Sequence, residues 1–187
     1  MKAVRPRTMG VFGGSFNPPH VGHVLACHFA LMAWGLDGMI VVPTYAHPFA
    51  KPMMDYDHRL AMTRLAFAHL GEAVEISEVE KELGGVSYTI DTVQELARRK
   101  PDVRLYLVVG SDVAGELPLW RQWDRLQQLV PPLVVPRMGV GEEGSEGLFL
   151  PRVSSSELRR DFREGLDVGL AVPQAVKAYI DEHHLYR

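Results

Sequence analysis

The sequence predicts an α/β fold, a single doubly wound, Rossmann-like parallel sheet of five to six strands with helices on both faces. Short apolar runs at residues 9–12, 39–43 and 105–109 lack the alternation of a half-solvated strand, so they read as strands buried on both sides. Between them lie stretches whose apolar residues recur at helical spacing, at 21–34, 57–70 and through Ile90, Val93 and Ala97. Strands alternating with helices make parallel pairs joined by right-handed crossovers, which bring the loop after each strand to one sheet edge. Open α/β sheets bind their ligands at that edge.

The first strand, 9–12, runs into Gly13-Gly-Ser-Phe-Asn-Pro-Pro-His-Val-Gly-His23. Gly13 and Gly14 let backbone approach a ligand where a Cβ would collide, and Pro18 and Pro19 leave the loop few conformations to lose. With the helix beginning near Pro19, His20 and His23 share one face of its first turn beside free backbone N–H groups. An anion fits there. A break at 35–38 leads to the second strand, 39–43, and then to a proline-punctuated loop at the ligand edge, 45–54, with His47, Phe49 and Lys51. In the helix over 57–70, Arg59 and Arg64 read as solvated.

A third strand is expected at 74–79, then a charged stretch at 78–82 and the turn Gly84-Gly85. Tyr88 and Thr89 open the next helix, either as staple and cap or as side chains reaching the sheet edge. The fourth strand, 105–109, ends in Gly110-Ser-Asp112, where the acid suits ribose hydroxyls and helix capping equally. Trp120 stands in a loop, to stack on a flat heterocycle or to plug the core, and Trp123 opens a helix to 129. A fifth strand at 132–135, a variable loop rich in glycine and glutamate at 137–147 and a short sixth strand at 148–150 follow. Ser154 with Glu157 has capping-box spacing, so Ser154, Ser155 and Ser156 mark another helix N-terminus, with Arg159 one turn in. That is a second anion site, or a well-capped helix with surface arginines. Pro173, at a first helical position, opens the closing amphipathic helix.

The 187 residues suit one domain spanning 1–187. Twenty Lys and Arg against 23 Asp and Glu, a net charge of −3, argue against broad binding to the nucleic-acid backbone. The lone Cys27 excludes an intrachain disulfide, and no apolar run reaches the roughly 18 residues of a membrane span. A cytoplasmic protein is expected, with no membrane and no nucleic-acid partner, and its oligomeric state is unspecified.

Two helix N-termini carrying histidines, serines and an arginine suit a polyphosphate. The chain has no Gly-x-x-x-x-Gly-Lys-Ser/Thr, no Gly-x-Gly-x-x-Gly after the first strand and no nucleophile elbow, which turns the reading from P-loop, hydride-transfer and acyl-transfer chemistry toward nucleotidyl transfer. Such transfer needs positioned donors and a metal more than covalent help.

The pair of segments Gly13 to His23 and Val153-Ser-Ser-Ser-Glu-Leu-Arg159 resembles the signatures of the nucleotidyltransferase superfamily with a His-x-x-His phosphate motif, specifically the bacterial nicotinate-nucleotide adenylyltransferases. The similarity runs on through Ser87-Tyr-Thr, Gly110-Ser-Asp, Trp120 and 179–187. The resemblance implies transfer of the adenylyl group of ATP to nicotinate mononucleotide, giving deamido-NAD and pyrophosphate. It implies that His20 and His23 stabilise charge on the triphosphate, with Arg159 and Ser155 or Ser156 on the outer phosphates. It puts Gly110 and Asp112 near the adenosine ribose and Gly13, Gly14, Ser15 and Phe16 along the nucleotide cleft. Tyr88, Thr89 and Trp120 correspond to the pyridine pocket, Trp120 stacking on the ring, with Thr44 and Lys51 also on the acceptor side. Mg²⁺ is implied, held mostly by ATP oxygens and water rather than by protein ligands. The attacking phosphate is already anionic, so no general base is required.

One segment departs from the family pattern. Where the family reads Pro-Pro-His-Lys after the second strand, this chain has His47-Pro-Phe-Ala-Lys51, which bears on the choice between nicotinate and nicotinamide mononucleotide. Other readings are an adenylyl or cytidylyl transferase of the same fold acting on phosphopantetheine or a different phosphorylated acceptor, and a non-catalytic nucleotide-binding module. A class I tRNA synthetase fragment fits less well, for want of a Lys-Met-Ser-Lys-Ser loop.

Overall fold

The structure, a computed structural model, describes residues 6–49, 52–137 and 150–187. Five strands, β1 (Arg7–Gly14), β2 (Gly38–Pro43), β3 (Val74–Ile76), β4 (Val103–Gly110) and β5 (Pro132–Val135), form one sheet in the order β3-β2-β1-β4-β5. Every pairing is parallel. The expected α/β class is what is found. Of the sixth strand only Leu150 is described, in an isolated parallel bridge to Arg137, and the rest of 137–147 and 148–149 lies outside the described residues apart from Arg137 itself.

The order places β1 and β4 side by side with the chain departing in opposite directions from each, the point where such sheets open a crevice at their carboxyl edge. The strands are nearly uninterrupted apolar runs because both faces are covered. Phe12, Met39, Val41 and Val108 join one buried cluster with residues of α1 (Val21–Ala33), α2 (Tyr56–Phe67), α7 (Ser155–Arg163) and α8 (Gln174–Glu182). Met9, Val11, Ile40, Val42, Leu105, Leu107 and Val109 join the other with α3 (Val79–Leu83), α4 (Thr89–Arg99) and α6 (Trp123–Leu129). A short helix, α5 (Ser111–Ala114), follows β4 directly.

Several boundaries differ from expectation. β1 continues through Gly14, which pairs with Pro43, so the two glycines end a strand rather than begin a loop. β3 stops at Ile76 and the charged stretch after it forms α3, whose Val79 and Glu80 are buried. Pro173 is the N-cap of α8 rather than its first residue. Ser154 is the N-cap of α7, yet no side-chain capping bond forms, so the box spacing located the helix start without its expected hydrogen bonds. No described helix is long and apolar enough to cross a membrane.

Candidate active site

A cavity of about 410 Å³ lies over the crevice, lined by Ser15, His20 and His23, by the paired Asp112 and Arg137, and by Arg152, Val153 and the start of α7 with Ser154, Ser155, Ser156 and Arg159. His20 is the N-cap of α1 and His23 its third residue. That spacing stacks the two imidazoles, centroids 3.7 Å apart and planes 27° from parallel. The backbone N–H of His20 donates to His23 Nδ1 at 3.1 Å, so the proton of a neutral His23 resides on Nε2. His20 Nδ1 is buried without a partner. Gly22 is small because a Cβ there would stand 3.1 Å from both Cε1 and Nδ1 of the His20 ring.

Both histidines are neutral here. Burial, then the Arg137 guanidinium, push the His20 pKa down to about 3. Burial first, then His20 and Arg137, hold His23 well below its ordinary value. A helix N-terminus disfavours cations in the same sense.

The first turn of α7 is fastened to the loop after β1. Ser155 Oγ donates to the Pro18 carbonyl at 3.0 Å, and Arg159 Nη1 donates to the Asn17 carbonyl at 2.8 Å while Nη2 donates to Ser156 Oγ at 3.2 Å. Two helix starts distant in sequence thus face one space.

At the end of β4, Asp112 accepts from Arg137 Nη1 at 3.1 Å. A Cβ on Gly110 would collide with that carboxylate and come within 2.8 Å of Arg137 Nε, which explains a glycine after the apolar run 107–109. The sequence assigns Arg137 to a variable loop. The structure instead anchors it through its N–H to Ser111 Oγ at 3.0 Å and puts its side chain in the cavity. Arg152, which the motif reading passed over, lines the cavity too.

Other residues fall elsewhere. The Phe16 side chain is fully buried against Phe12, Phe67 and His23, with φ at +44°, so it supports the His23 ring from beneath and does not line the cleft. Gly13 is exposed, and a Cβ there would meet nothing within 4 Å; Gly14 accepts the Thr44 N–H at 2.9 Å. Tyr88, Thr89 and Trp120 are half-buried and do not line the cavity. Tyr88 and Trp120 pack against the second core, with the Arg121 guanidinium 4.5 Å over the Tyr88 ring. Beside them the loop after β2 docks by paired bonds, Ala46 N–H to Ser87 Oγ at 3.2 Å and Ser87 N–H to the Ala46 carbonyl at 2.9 Å. Lys51 lies outside the described residues.

Arg59 overturns its reading as a solvated residue. It is 1% exposed, and its guanidinium donates to the carbonyls of Ser15, Thr44 and Met54 at 2.8–2.9 Å.

A doubly wound parallel sheet whose switch point is faced by two helix starts carrying histidines, serines and an arginine makes a site for a polyphosphate, and the similarity to known proteins makes the class a nucleotidyltransferase. The family model described as cytidylyltransferase-like matches residues 11–161, which include both helix starts, and the chain belongs to that family. It is 40% identical to a protein of Anaeromyxobacter sp. (strain K) over 97% of both chains, and 39% identical to one of Gemmatimonas aurantiaca over 96% of this chain and 92% of that one. Both carry the name "Probable nicotinate-nucleotide adenylyltransferase". The fold matches that of the Plasmodium falciparum nicotinic acid mononucleotide adenylyltransferase complexed with NaAD, with a TM-score of 0.80 at 17% identity, covering 96% of this chain and 97% of that one.

Proposed function

We propose that this chain transfers the adenylyl group of ATP to nicotinate mononucleotide, releasing pyrophosphate and forming deamido-NAD, in the cytoplasm. The observation that carries the reading is the cavity between the starts of α1 and α7, where imidazole, guanidinium, hydroxyl and backbone N–H donors converge. The names of relatives about 40% identical over nearly the whole chain support the acceptor.

In this reading the triphosphate lies between the two helix starts. His23 offers an Nε2 proton and His20 stacks beside it, so charge developing on the α-phosphorus and the leaving pyrophosphate meets donors already in place. Arg159, Ser155 and Ser156 take the outer phosphates, and Arg137 and Arg152 add positive charge at the rim. Asp112 and the backbone at Gly110 receive the ribose. The mononucleotide enters beside Thr44, Tyr88, Thr89 and Trp120, its carboxylate meeting the free N–H groups opening α4. Its phosphate oxygen attacks the α-phosphorus, the bond to the bridging oxygen breaks, and pyrophosphate leaves.

Among the described residues Asp112 is the one carboxylate lining the cavity, already paired with Arg137, and no group of three or more metal-ligating side chains occurs. This donor set fits a Mg²⁺ carried by phosphate oxygens and water, neutralising charge on the phosphates when bound.

The test is pyrophosphate release from ATP with nicotinate mononucleotide, nicotinamide mononucleotide and phosphopantetheine as acceptors. The first is expected to give the highest kcat/KM, and a preference for phosphopantetheine would overturn the reading.

A further inference from the structure

The loop after β1, which lines the donor cavity through Ser15, and the loop after β2, which abuts the acceptor side through Thr44, are held by one side chain. Arg59 Nη1 donates to the Ser15 carbonyl at 2.9 Å and to the Thr44 carbonyl at 2.8 Å, while Nε donates to the Met54 carbonyl at 2.8 Å. A second stitch runs in parallel. The Thr44 N–H donates to the Gly14 carbonyl at 2.9 Å and the Met54 N–H to Asn17 Oδ1 at 3.3 Å. From Thr44 the chain continues into Tyr45, whose N–H donates to Glu80 Oε2 at 3.0 Å, and Ala46, bonded both ways to Ser87 beside Tyr88 and Thr89.

The guanidinium is buried, and no carboxylate of the described residues lies within ion-pair distance of it. A buried cation with no carboxylate in direct contact, the charges of Glu80 and Asp55 reaching it only from farther off, depends on the dipoles around it, and here the nearest are carbonyls of the two loops. Moving either loop leaves N–H donors unsatisfied in a dry interior, so each loop's position depends on the other's. The planar guanidinium sets Nη1 on the Ser15 and Thr44 carbonyls and Nε on the Met54 carbonyl in one fixed geometry, which a lysine ammonium with its single nitrogen does not reproduce.

We propose that Arg59 is a positioning residue that couples the ATP and mononucleotide sites, so that occupancy of one sets the loop of the other in its productive place. The inference rests on the adenylyl-transfer reading above. Linkage makes the coupling reciprocal: each substrate tightens the other by the same factor.

The test measures binding of α,β-methylene ATP by calorimetry, alone and with saturating nicotinate mononucleotide. In the wild-type protein the mononucleotide is expected to tighten the analogue about 10-fold. Arg59→Lys keeps the charge but loses the fork. It is expected to leave affinity for the analogue alone within about threefold while the coupling factor falls toward about one. Its kcat is expected to drop by about a hundredfold with a smaller change in KM, since misplaced reactants cost rate rather than binding. A folded Arg59→Lys protein with wild-type coupling, or a wild-type protein whose substrates bind independently, overturns the proposal. Should the variant fail to fold, hydrogen exchange of the wild-type protein decides. The analogue alone is expected to slow exchange at residues 44–46, and unchanged exchange there overturns the coupling. If the acceptor panel selects another phosphorylated acceptor, the same cycle is run with it, so an error in the acceptor and an error in the coupling are read separately.

Discussion

His20 and His23 sit at the positive end of α1, buried, stacked and uncharged, and each of those properties has a consequence. Their donors are aimed before substrate arrives, so little reorganisation is needed when charge develops. Truncating His20 to alanine is therefore expected to lower kcat by about 10²- to 10³-fold while the acceptor KM changes far less, and steady-state kinetics check the split. The lowered pKa values also set a pH dependence of stability. In the unfolded chain both imidazoles take up protons near pH 6.5, while in the folded protein His20 does so at about 3 and His23 well below its ordinary value. Between those limits the unfolded state binds more protons, so stability rises with pH. It is complete above about pH 6.5 and is lost as pH falls toward 3. Melting temperatures from pH 7 to pH 4 are expected to fall less steeply for His20→Asn than for wild type, and equal slopes would show that His20 is not held neutral. The spacing of these histidines was legible because a three-residue interval on a helix start is local geometry. The role of Arg59 was not, since beside Asp57, His58 and Arg64 it looks like one more polar residue on a solvated helix face. Only the fold brings three carbonyls around it.

At the scale of elements, the site is assembled from chain termini of regular structure. α1 and α7 contribute their N-terminal turns, β4 its carboxyl end, and Arg137, two residues beyond β5, its guanidinium. Sequence periodicity located most of these elements, because strands buried on both faces and amphipathic helices leave different patterns. It misread the short ones. α3 and α5, five and four residues long, are too brief to show a period. Arg137 could not be assigned from sequence, since its contact with Asp112 spans two elements and depends on β5 pairing beside β4. Gly110 makes that contact possible and supplies a test at this scale. Its φ of −75° and ψ of 153° suit any residue, so alanine strains no backbone. The added methyl instead displaces the Asp112 carboxylate and crowds Arg137 Nε. Gly110→Ala is expected to raise the KM for ATP by about tenfold, equivalent to roughly 1.4 kcal/mol of binding, with the melting temperature nearly unchanged. An unaltered KM would remove Asp112 and Arg137 from the nucleotide site.

Across the whole molecule, the two apolar cores clamp the sheet from opposite faces and leave its carboxyl edge as the place where polar groups gather. The last residues of the chain take part in that edge. Leu185 and Tyr186 are buried in the core that also holds α1 and α7, and Tyr186 OH donates to Asn17 Oδ1 at 2.8 Å. Asn17 is the same residue whose carbonyl accepts Arg159 and whose side chain accepts the Met54 N–H. The chain's end is therefore joined through one buried asparagine to the phosphate loop, to α7 and to the entry of α2. Tyr186→Phe removes one buried hydrogen bond without opening a cavity and leaves Asn17 Oδ1 its bond from Met54. The expected loss is about 1 kcal/mol, a fall in melting temperature of roughly 2–4 °C. If the tail also steadies the loop, kcat falls several-fold at temperatures where the variant is fully folded, and Arg159→Ala combined with Tyr186→Phe loses less than the sum of the two changes, because both act through Asn17. Strict additivity of the two changes, measured as kcat/KM for ATP, would mean that the tail supports the core and has no hold on the phosphate loop.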